Sequence, residues 1–377
     1  MKICIFVRVL WPGGVQSIAF GEAMSLEKRG HKVDLIFLRD SNRGIHPWSY
    51  MHPYKVLYNS KIKKRLLHKV LWFITRRYAP ERGEDATIDL DLIKKFEKKR
   101  ERYDIIIYYD QLSAFYANFC SKIHGDKFVV NIMETFYKKN ELIPHYVETR
   151  ATKYASGILT IGKMNLDIME KKGFKNIFLL YPGTIQIKDP PGFRQREDKI
   201  ISVTMWDVGR HPDLFIDIAK NVNGVKIFLI GDWSDKSFHL NFIQLVKSFG
   251  LEDKIIVTGR ISKTELEEHY RTAKVMIRFG FNEFGPGMGT LEALSYGLPL
   301  IINKQIGIGE IVDSFKANPI YVVDEKNMNS ISNVIDTLIN EEDTWMSKSK
   351  EALRVAHLLS WEKHGEMLEK ILYNILG

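Results

Sequence analysis

The 377-residue chain has only two cysteines, Cys4 and Cys120. Two thiols cannot form a disulfide framework or a four-ligand zinc site. Each lies in or beside an apolar run, which reads as inert burial in a reducing cytoplasm. No apolar run approaches the ~20 residues that a bilayer-spanning helix needs. The opening MKICIFVRVLWPGG also lacks the small-residue cleavage site of a signal peptide. The expectation is a cytoplasmic protein, with peripheral attachment to the inner face of the membrane as a further option. No H-E-x-x-H, G-x-S-x-G, Walker A or C-x-x-C string occurs, and the eleven histidines are scattered without metal-ligand spacing. Zincin, nucleophile-elbow, P-loop and dithiol chemistry therefore lack their residues. No metal is expected. Asp89-Leu90-Asp91 is a D-x-D string, but it opens a helical stretch, where acids favour the positive end of the helix.

Charge is present in excess. Lys and Arg number 55 against 46 Asp and Glu, a formal +9. That suits nucleic acid, anionic lipid or a phosphorylated small ligand. Part of the excess is concentrated in residues 61–77, KIKKRLLHKVLWFITRR, with seven basic residues and no acid. Two readings stand: a core helix with solvated basic ends, or an interfacial helix that lies on an anionic membrane with Trp72 at the boundary. The basic run Lys94–Arg102 includes Glu97 and Glu101 and reads as a solvated helical face.

Short apolar runs alternate with helical spacing along most of the chain. A first series of strands is expected at Lys2–Val9, Lys32–Leu38, Asp104–Tyr109, Lys127–Met133, Gly157–Ile161 and Asn176–Tyr181. A second series follows at Ile200–Met205, Val225–Ile230, Lys254–Thr258, Lys274–Phe279, Pro299–Asn303 and Ile320–Val323. Most are unbroken apolar segments, as in parallel strands buried on both faces. Interleaved helices are expected at Gln16–Lys28, Asp213–Val222 and Ser237–Phe249. The fold class is therefore α/β, with two doubly wound Rossmann-like domains facing across a cleft. The stretch YPGTIQIKDPPGFRQRED, Tyr181–Asp198, has linker chemistry and marks the seam. It divides an N-terminal domain, 1–184, from a C-terminal domain, 185–360.

Two glycine-rich turns could carry chemistry. Gly13 and Gly14 follow the first strand and precede a helix, so the backbone can approach an anion at the helix N-terminus. A plain strand–helix turn explains the same residues. The segment FNEFGPGMGTLEALSYGLP, Phe281–Pro299, places Gly285, Gly287 and Gly289 before a short helix that ends near Gly297. Amides of Gly287, Met288, Gly289 and Thr290 could cradle a diphosphate. Glu292, expected two to three residues into that helix, could accept hydrogen bonds from ribose hydroxyls.

These motifs resemble those of the retaining GT-B glycosyltransferases, family 4 (group 1) type. Glu292-Ala293-Leu294-Ser295-Tyr296-Gly297-Leu298-Pro299 matches the second half of the family pattern, and Lys274–Phe279 with Glu283 matches the first. The likeness extends to Ile230-Gly231-Asp232, Gly250-Leu251, Ile255–Gly259, Thr264-Glu265-Leu266, Tyr270 and Ser360-Trp361. Gly13-Gly14 and Arg29–Val33 look like the family's opening strand–helix–strand. The resemblance implies that Glu292 holds the ribose of a nucleotide sugar and that Glu283 lies near the sugar. It implies that the glycine-loop amides and a basic pair hold the diphosphate, and that helix 361–377 crosses back to the first domain.

Two departures from the family stand out. Eight residues rather than seven separate Glu283 from Glu292. In the G-R-x4-K pair, Arg210 occupies the lysine position, while the arginine position falls on Met205. On the acceptor side, Asp110 and Glu134 follow expected strands, where either could orient or deprotonate a hydroxyl; a helix cap or loop role explains them equally.

The resulting reading is a glycosyltransferase of the hexosyltransferase type. It takes a UDP- or GDP-sugar as cosubstrate, needs no cofactor, and retains anomeric configuration without metal. Its acceptor is a glycan or a lipid-linked hydroxyl. A nucleotide-sugar epimerase of the same fold is the first alternative, and a nucleic-acid-binding protein, suggested by the +9 charge, is the second and less favoured one. A nucleic-acid partner is not expected, because no recognised module is present and the basic residues beyond 61–77 are dispersed.

Overall fold

The computed structural model describes residues 1–41, 46–58, 83–109, 125–133, 152–281, 283 and 285–377. The chain divides into two compact units, Met1–Gly183 with Trp361–Gly377, and Thr184–Ser360.

In the first unit, strands β1 (Lys2–Leu10), β2 (Lys32–Asp40), β3 (Tyr54–Tyr58), β4 (Ile105–Tyr109), β5 (Lys127–Asn131), β6 (Gly157–Thr160) and β7 (Ile177–Leu179) form one sheet. Its order is β3-β2-β1-β4-β5-β6-β7, and every pairing is parallel. Helices α1 (Gly14–Lys28), α2 (Gly83–Lys99), α3 (Lys163–Lys171) and α11 (Trp361–Leu376) belong to this unit. β3 was not expected. Its sequence YKVLY lacks the unbroken apolar run of its neighbours, and it is a half-exposed edge strand.

α11 packs on α1 because the contact is cut away for it. A Cβ on Gly21 would lie 2.3 Å from the Trp361 ring, and one on Gly183 would lie 2.5 Å from it. His364 joins the same contact, its Nε2 3.2 Å from Oε1 of buried Glu22 and its Nδ1 2.7 Å from the Tyr181 carbonyl. The hydroxyl of Tyr109 donates to the other Glu22 oxygen.

Two expectations are corrected in α2. Glu97 is fully buried rather than on a solvated face: it pairs with Arg100, which in turn reaches Asp126, and it accepts from the Tyr108 hydroxyl. A buried carboxylate needs such partners to stay charged. The lysines at 94, 95, 98 and 99 are exposed. Asp89 is not at the start of its helix, which begins at Gly83. It is buried between Arg8 of β1 and Arg39 of β2, at 3.1 and 2.7 Å.

The second unit repeats the architecture. Strands β8 (Glu197–Val203), β9 (Lys226–Ile230), β10 (Ile255–Gly259), β11 (Ala273–Arg278), β12 (Leu300–Ile302) and β13 (Ile320–Val322) form a parallel sheet. Its order is β10-β9-β8-β11-β12-β13. The helices are α4 (Leu214–Asn221), α5 (Lys236–Ser248), α6 (Lys263–Thr272), α7 (Met288–Ser295), α8 (Ile308–Ser314), α9 (Met328–Asn340) and α10 (Glu342–Leu358). The core beneath them includes Ile200, Phe215, Ile227, Val275, Ile277, Ile301, Ile335 and Trp345. In both units the order of strands reverses beside the first strand, between β1 and β4 and between β8 and β11. In open α/β sheets that reversal opens a crevice at the carboxyl ends of the strands.

Candidate functional site

The crevice of the second unit collects most of the sequence-derived candidates. β8 ends at Val203, and the chain then stays close to the end of β9. Thr204 donates to the Ile230 carbonyl at 3.0 Å, and Trp206 donates to that of Asp232 at 2.7 Å. Gly231 makes this approach possible. Its φ is +128°, and a Cβ there would lie 1.8 Å from the Thr204 carbonyl oxygen. Beyond it, Val208–Arg210 forms one 3-10 turn. His211 follows in the left-handed region at φ +50°. A side-chain-bearing residue is strained there, and strain of this kind collects at functional sites. Here it directs the chain immediately after Arg210.

β11 supplies the opposite side. Its last residue, Arg278, is 5% exposed, and Glu283, five residues on, is 8% exposed. The backbone of Glu283 is fixed against the segment after β12: its N–H donates to the Gln305 carbonyl, and its carbonyl accepts from Gly307 N–H at 2.8 Å. Its Oε1 pairs with both Arg210 and Arg278. The room for that carboxylate comes from Gly280, where a Cβ would lie 2.9 Å from the Glu283 carboxyl carbon.

α7 begins at Met288 behind Gly287, whose φ is +73°. Gly289 is in the first turn, and a Cβ there would lie 2.9 Å from the Val203 carbonyl oxygen. Only glycine lets this turn lie against the end of β8. Thr290 closes the loop onto itself. Its hydroxyl meets the carbonyls of Pro286 and Gly287, and its N–H donates to Gly287 at 3.2 Å. The first-turn amides of Met288 and Gly289 have no acceptor position within the helix, and the positive end of the helix dipole lies with them. The far end of α7 is a Schellman motif: Gly297 N–H reaches Leu294 and Leu298 N–H reaches Ala293, both at 3.0 Å.

Glu292 is the fifth residue of α7 rather than the second or third, because the helix already starts at Met288, ahead of Gly289. Its Oε2 accepts from the hydroxyl of Tyr270, on α6, at 3.0 Å. Tyr270 stacks on Tyr296 with ring centroids 5.3 Å apart. Burial pushes the Glu292 carboxyl up to about 7, against the Tyr270 hydrogen bond, which lowers it. The same burial and the Glu292 charge hold the Tyr270 phenol well above its ordinary range.

Arg210, Glu283, Gly287, Met288, Gly289, Thr290 and Glu292 thus all follow β8 or β11 in the second unit. Gly13 and Gly14 belong to the first. Gly13 precedes α1 and accepts from Ser17 N–H at 3.1 Å. A Cβ on it would come within 2.9 Å of the Trp11 ring nitrogen. Asp110 and Glu134 lie outside the described residues, as do 61–77 and Cys120. Met205, at the family's arginine position, is 42% exposed. Two residues escaped notice as site components. Tyr270 sits on a neighbouring helix, with no spacing to Glu292 that a motif records. Arg278 reads as one more residue of the strand around MIRF, though a lone charge at the carboxyl end of a buried strand was the available signal. Among the described residues no group of three or more His, Cys, Asp or Glu could hold a metal ion. Among them, too, no helix is long and apolar enough to cross a membrane.

Comparison with known proteins finds a family model that matches this unit and solved structures that match the whole chain. Residues 184–354 match the model of the glycosyl transferases group 1. Sucrose-phosphate synthase 4 of Arabidopsis thaliana is 26% identical over 130 residues, a stretch covering 33% of this chain and 12% of that protein. The spinach sucrose-phosphate synthase is 24% identical over 136 residues, again 12% of its length. The matched stretch is therefore about an eighth of these curated relatives. Among solved structures, HepE of Anabaena in complex with UDP and glucose aligns with a TM-score of 0.79 at 14% identity, covering 99% of this chain and 100% of that one. Sucrose-phosphate synthase of Thermosynechococcus elongatus aligns at 0.75 and 15%, covering 100% and 99%. A TarM variant of S. aureus, in complex with fondaparinux, α-GlcNAc-glycerol and UDP, aligns at 0.73 and 14%, covering 99% and 100%. The fold is that of the GT-B glycosyltransferases.

Proposed function

We propose, from the match of residues 184–354 to the group 1 glycosyl transferases, that the chain moves a sugar from a nucleoside-diphosphate sugar to an acceptor hydroxyl. The observation that carries this reading is one crevice with three fittings for one ligand. Glu292 supplies a carboxylate for the ribose hydroxyls, the Met288 and Gly289 amides lie at a helix N-terminus, and Arg210 ends the turn that follows β8. UDP in the structures of HepE and TarM favours a uridine diphosphate sugar over a GDP-sugar as the donor.

In the reaction, the bond from the anomeric carbon to the phosphate oxygen breaks, and the acceptor oxygen bonds to that carbon on the same face. The hydroxyl proton passes to a carboxylate, for which Asp110 and Glu134 are the candidates on the acceptor side. The departing diphosphate carries the growing negative charge. Arg210 and the first-turn amides of α7 neutralise it, and fixed donors aimed at developing charge are an effective catalytic device. The reading therefore calls on neither a metal nor a further cofactor. Retention follows the resemblance to the family, and the acceptor is a glycan or a lipid-linked hydroxyl.

The test is a thermal-shift screen against UDP-, GDP-, ADP- and dTDP-sugars. Stabilisation by one base, with loss of that shift in Glu292→Ala, is the expected outcome. A protein that responds to none of the four does not use this crevice for a nucleotide sugar.

A further inference from the structure

Arg278 is a buried cation with an unused hand. Its Nη2 donates to Oε1 of Glu283, whereas its Nη1, also buried, has no hydrogen-bond partner among the described residues. The carboxylate it holds is shared with Arg210, so two guanidiniums meet one carboxylate. Burial first, and then the like charge of Arg210, press Arg278 away from its charged form, while Asp207 opposes them. An unsatisfied donor on a buried cation is costly unless a ligand completes it. The residue also stands at the carboxyl end of β11 beside β8, where the strand order reverses.

The geometry points to Arg278 as the second cation of the donor site: Nη2 stays on Glu283 while Nη1 donates to an oxygen of the diphosphate. An anion is favoured over a sugar hydroxyl on charge. A guanidinium has donors only, and a phosphate oxygen also relieves its repulsion with Arg210, which a neutral hydroxyl cannot do. By the same contact Arg278 sets the carboxylate of Glu283, so it joins the leaving group to the residue beside the sugar. This inference rests on the donor-site reading above, and its test separates the two.

The probes are the nucleoside diphosphate that wild type binds among UDP, GDP, ADP and dTDP, and the monophosphate of the same base. The measurement is calorimetric affinity of wild type, Arg278→Met and Arg278→Lys, with melting curves to establish folding. Arg278→Met should weaken the diphosphate about tenfold or more, the scale of a lost charge-assisted hydrogen bond. It should change the monophosphate much less, and Arg278→Lys should recover part of the loss. A residue that only supports the fold would weaken both nucleotides alike, and that outcome overturns the inference. So does a folded Arg278→Met that binds the diphosphate as wild type does. Should Arg278→Met fail to fold, Arg278→Lys decides: an unchanged ratio of diphosphate to monophosphate affinity counts against the assignment. Wild type that binds none of the four removes the donor-site reading and this inference with it; wild type that binds one, with variants equal to it, removes this inference alone.

Discussion

The hydroxyl of Tyr270 donates to Oε2 of Glu292 across 3.0 Å, joining α6 to α7. The same hydroxyl lies 3.2 Å from the Gly289 carbonyl, so one phenol ties the carboxylate to the first turn of its helix. Burial raises the Glu292 carboxyl to about 7, and the Tyr270 bond holds it from rising further. The carboxylate proposed for the ribose is thus half-protonated near neutral pH.

Nucleoside diphosphate binding should therefore depend on pH through Glu292. In the proposed role the ionised carboxylate would accept from ribose hydroxyls, so affinity should increase between about pH 6 and 8 with a midpoint near 7. Glu292→Gln should flatten that profile and weaken binding about ten- to a hundredfold, as expected for hydrogen bonds to a charged group. Calorimetry at three pH values checks both. Stability runs in the opposite sense. A carboxyl raised in the folded state contributes stability that is present below its unfolded value of 4.5 and is lost as pH passes through about 7. Glu292→Gln should consequently melt no lower than wild type at pH 8.

Tyr270→Phe removes the bond that lowers the Glu292 carboxyl. The midpoint of the binding profile should move to higher pH, with a stability loss of about 0.5–1.5 kcal/mol. Denaturant unfolding and the same calorimetric series read the two effects. An unmoved midpoint would show that this hydrogen bond does not tune the site.

Arg210→Ala and Glu292→Ala should each cut turnover of the donor sharply, by about a hundredfold where a transition-state charge loses its partner. Arg210→Lys keeps the charge without the bidentate fork and should fall between. Unchanged kinetics in both alanine variants would falsify the placement of the donor.

Gly289→Ala places a Cβ 2.9 Å from a backbone oxygen of β8, which has no side-chain freedom with which to yield. The first turn of α7 must shift, at a cost of about 1–3 kcal/mol, and donor affinity should fall with it. Gly309→Ala is the control, since its Cβ would meet Ile302 at an ordinary 3.5 Å. Equal melting temperatures for the two variants would show that the close approach is not needed.

The composition of residues 61–77 calls for a separate measurement. Changing Lys61, Lys63, Lys64 and Arg65 to Ser should reduce flotation with vesicles containing anionic lipid, because each basic residue near such a surface contributes about 1 kcal/mol. Equal flotation of both proteins removes the membrane contact.

Much of the fold was legible because parallel strands buried on both faces are written as unbroken apolar runs. IIIYY announces itself in that way, as do the apolar stretches within KICIFVRVL and AKVMIR, and each is a strand. YKVLY did not, since an edge strand needs only one neighbour and one covered face. The glycine loop before α7 was readable because φ of +73° at Gly287 and the contact at Gly289 both demand glycine. α7 starts two or three residues ahead of the place its spacing implies, so Glu292 sits deeper in the helix. Glu97 and Asp89 looked like ordinary helical acids, and burial turned both into anchors for arginines.

By itself, then, the sequence determined the class of architecture and the glycine–Glu292 segment, because periodicity and glycine requirements are local properties of the chain. What gathers around that segment was decided in three dimensions. Arg278 and Arg210 are 68 residues apart in sequence, yet both meet the Glu283 carboxylate, because parallel order places β11 beside β8. Tyr270 reaches Glu292 from another helix for the same reason. Charge and hydrogen bonding act across space, and the pairing of strands sets which side chains become neighbours.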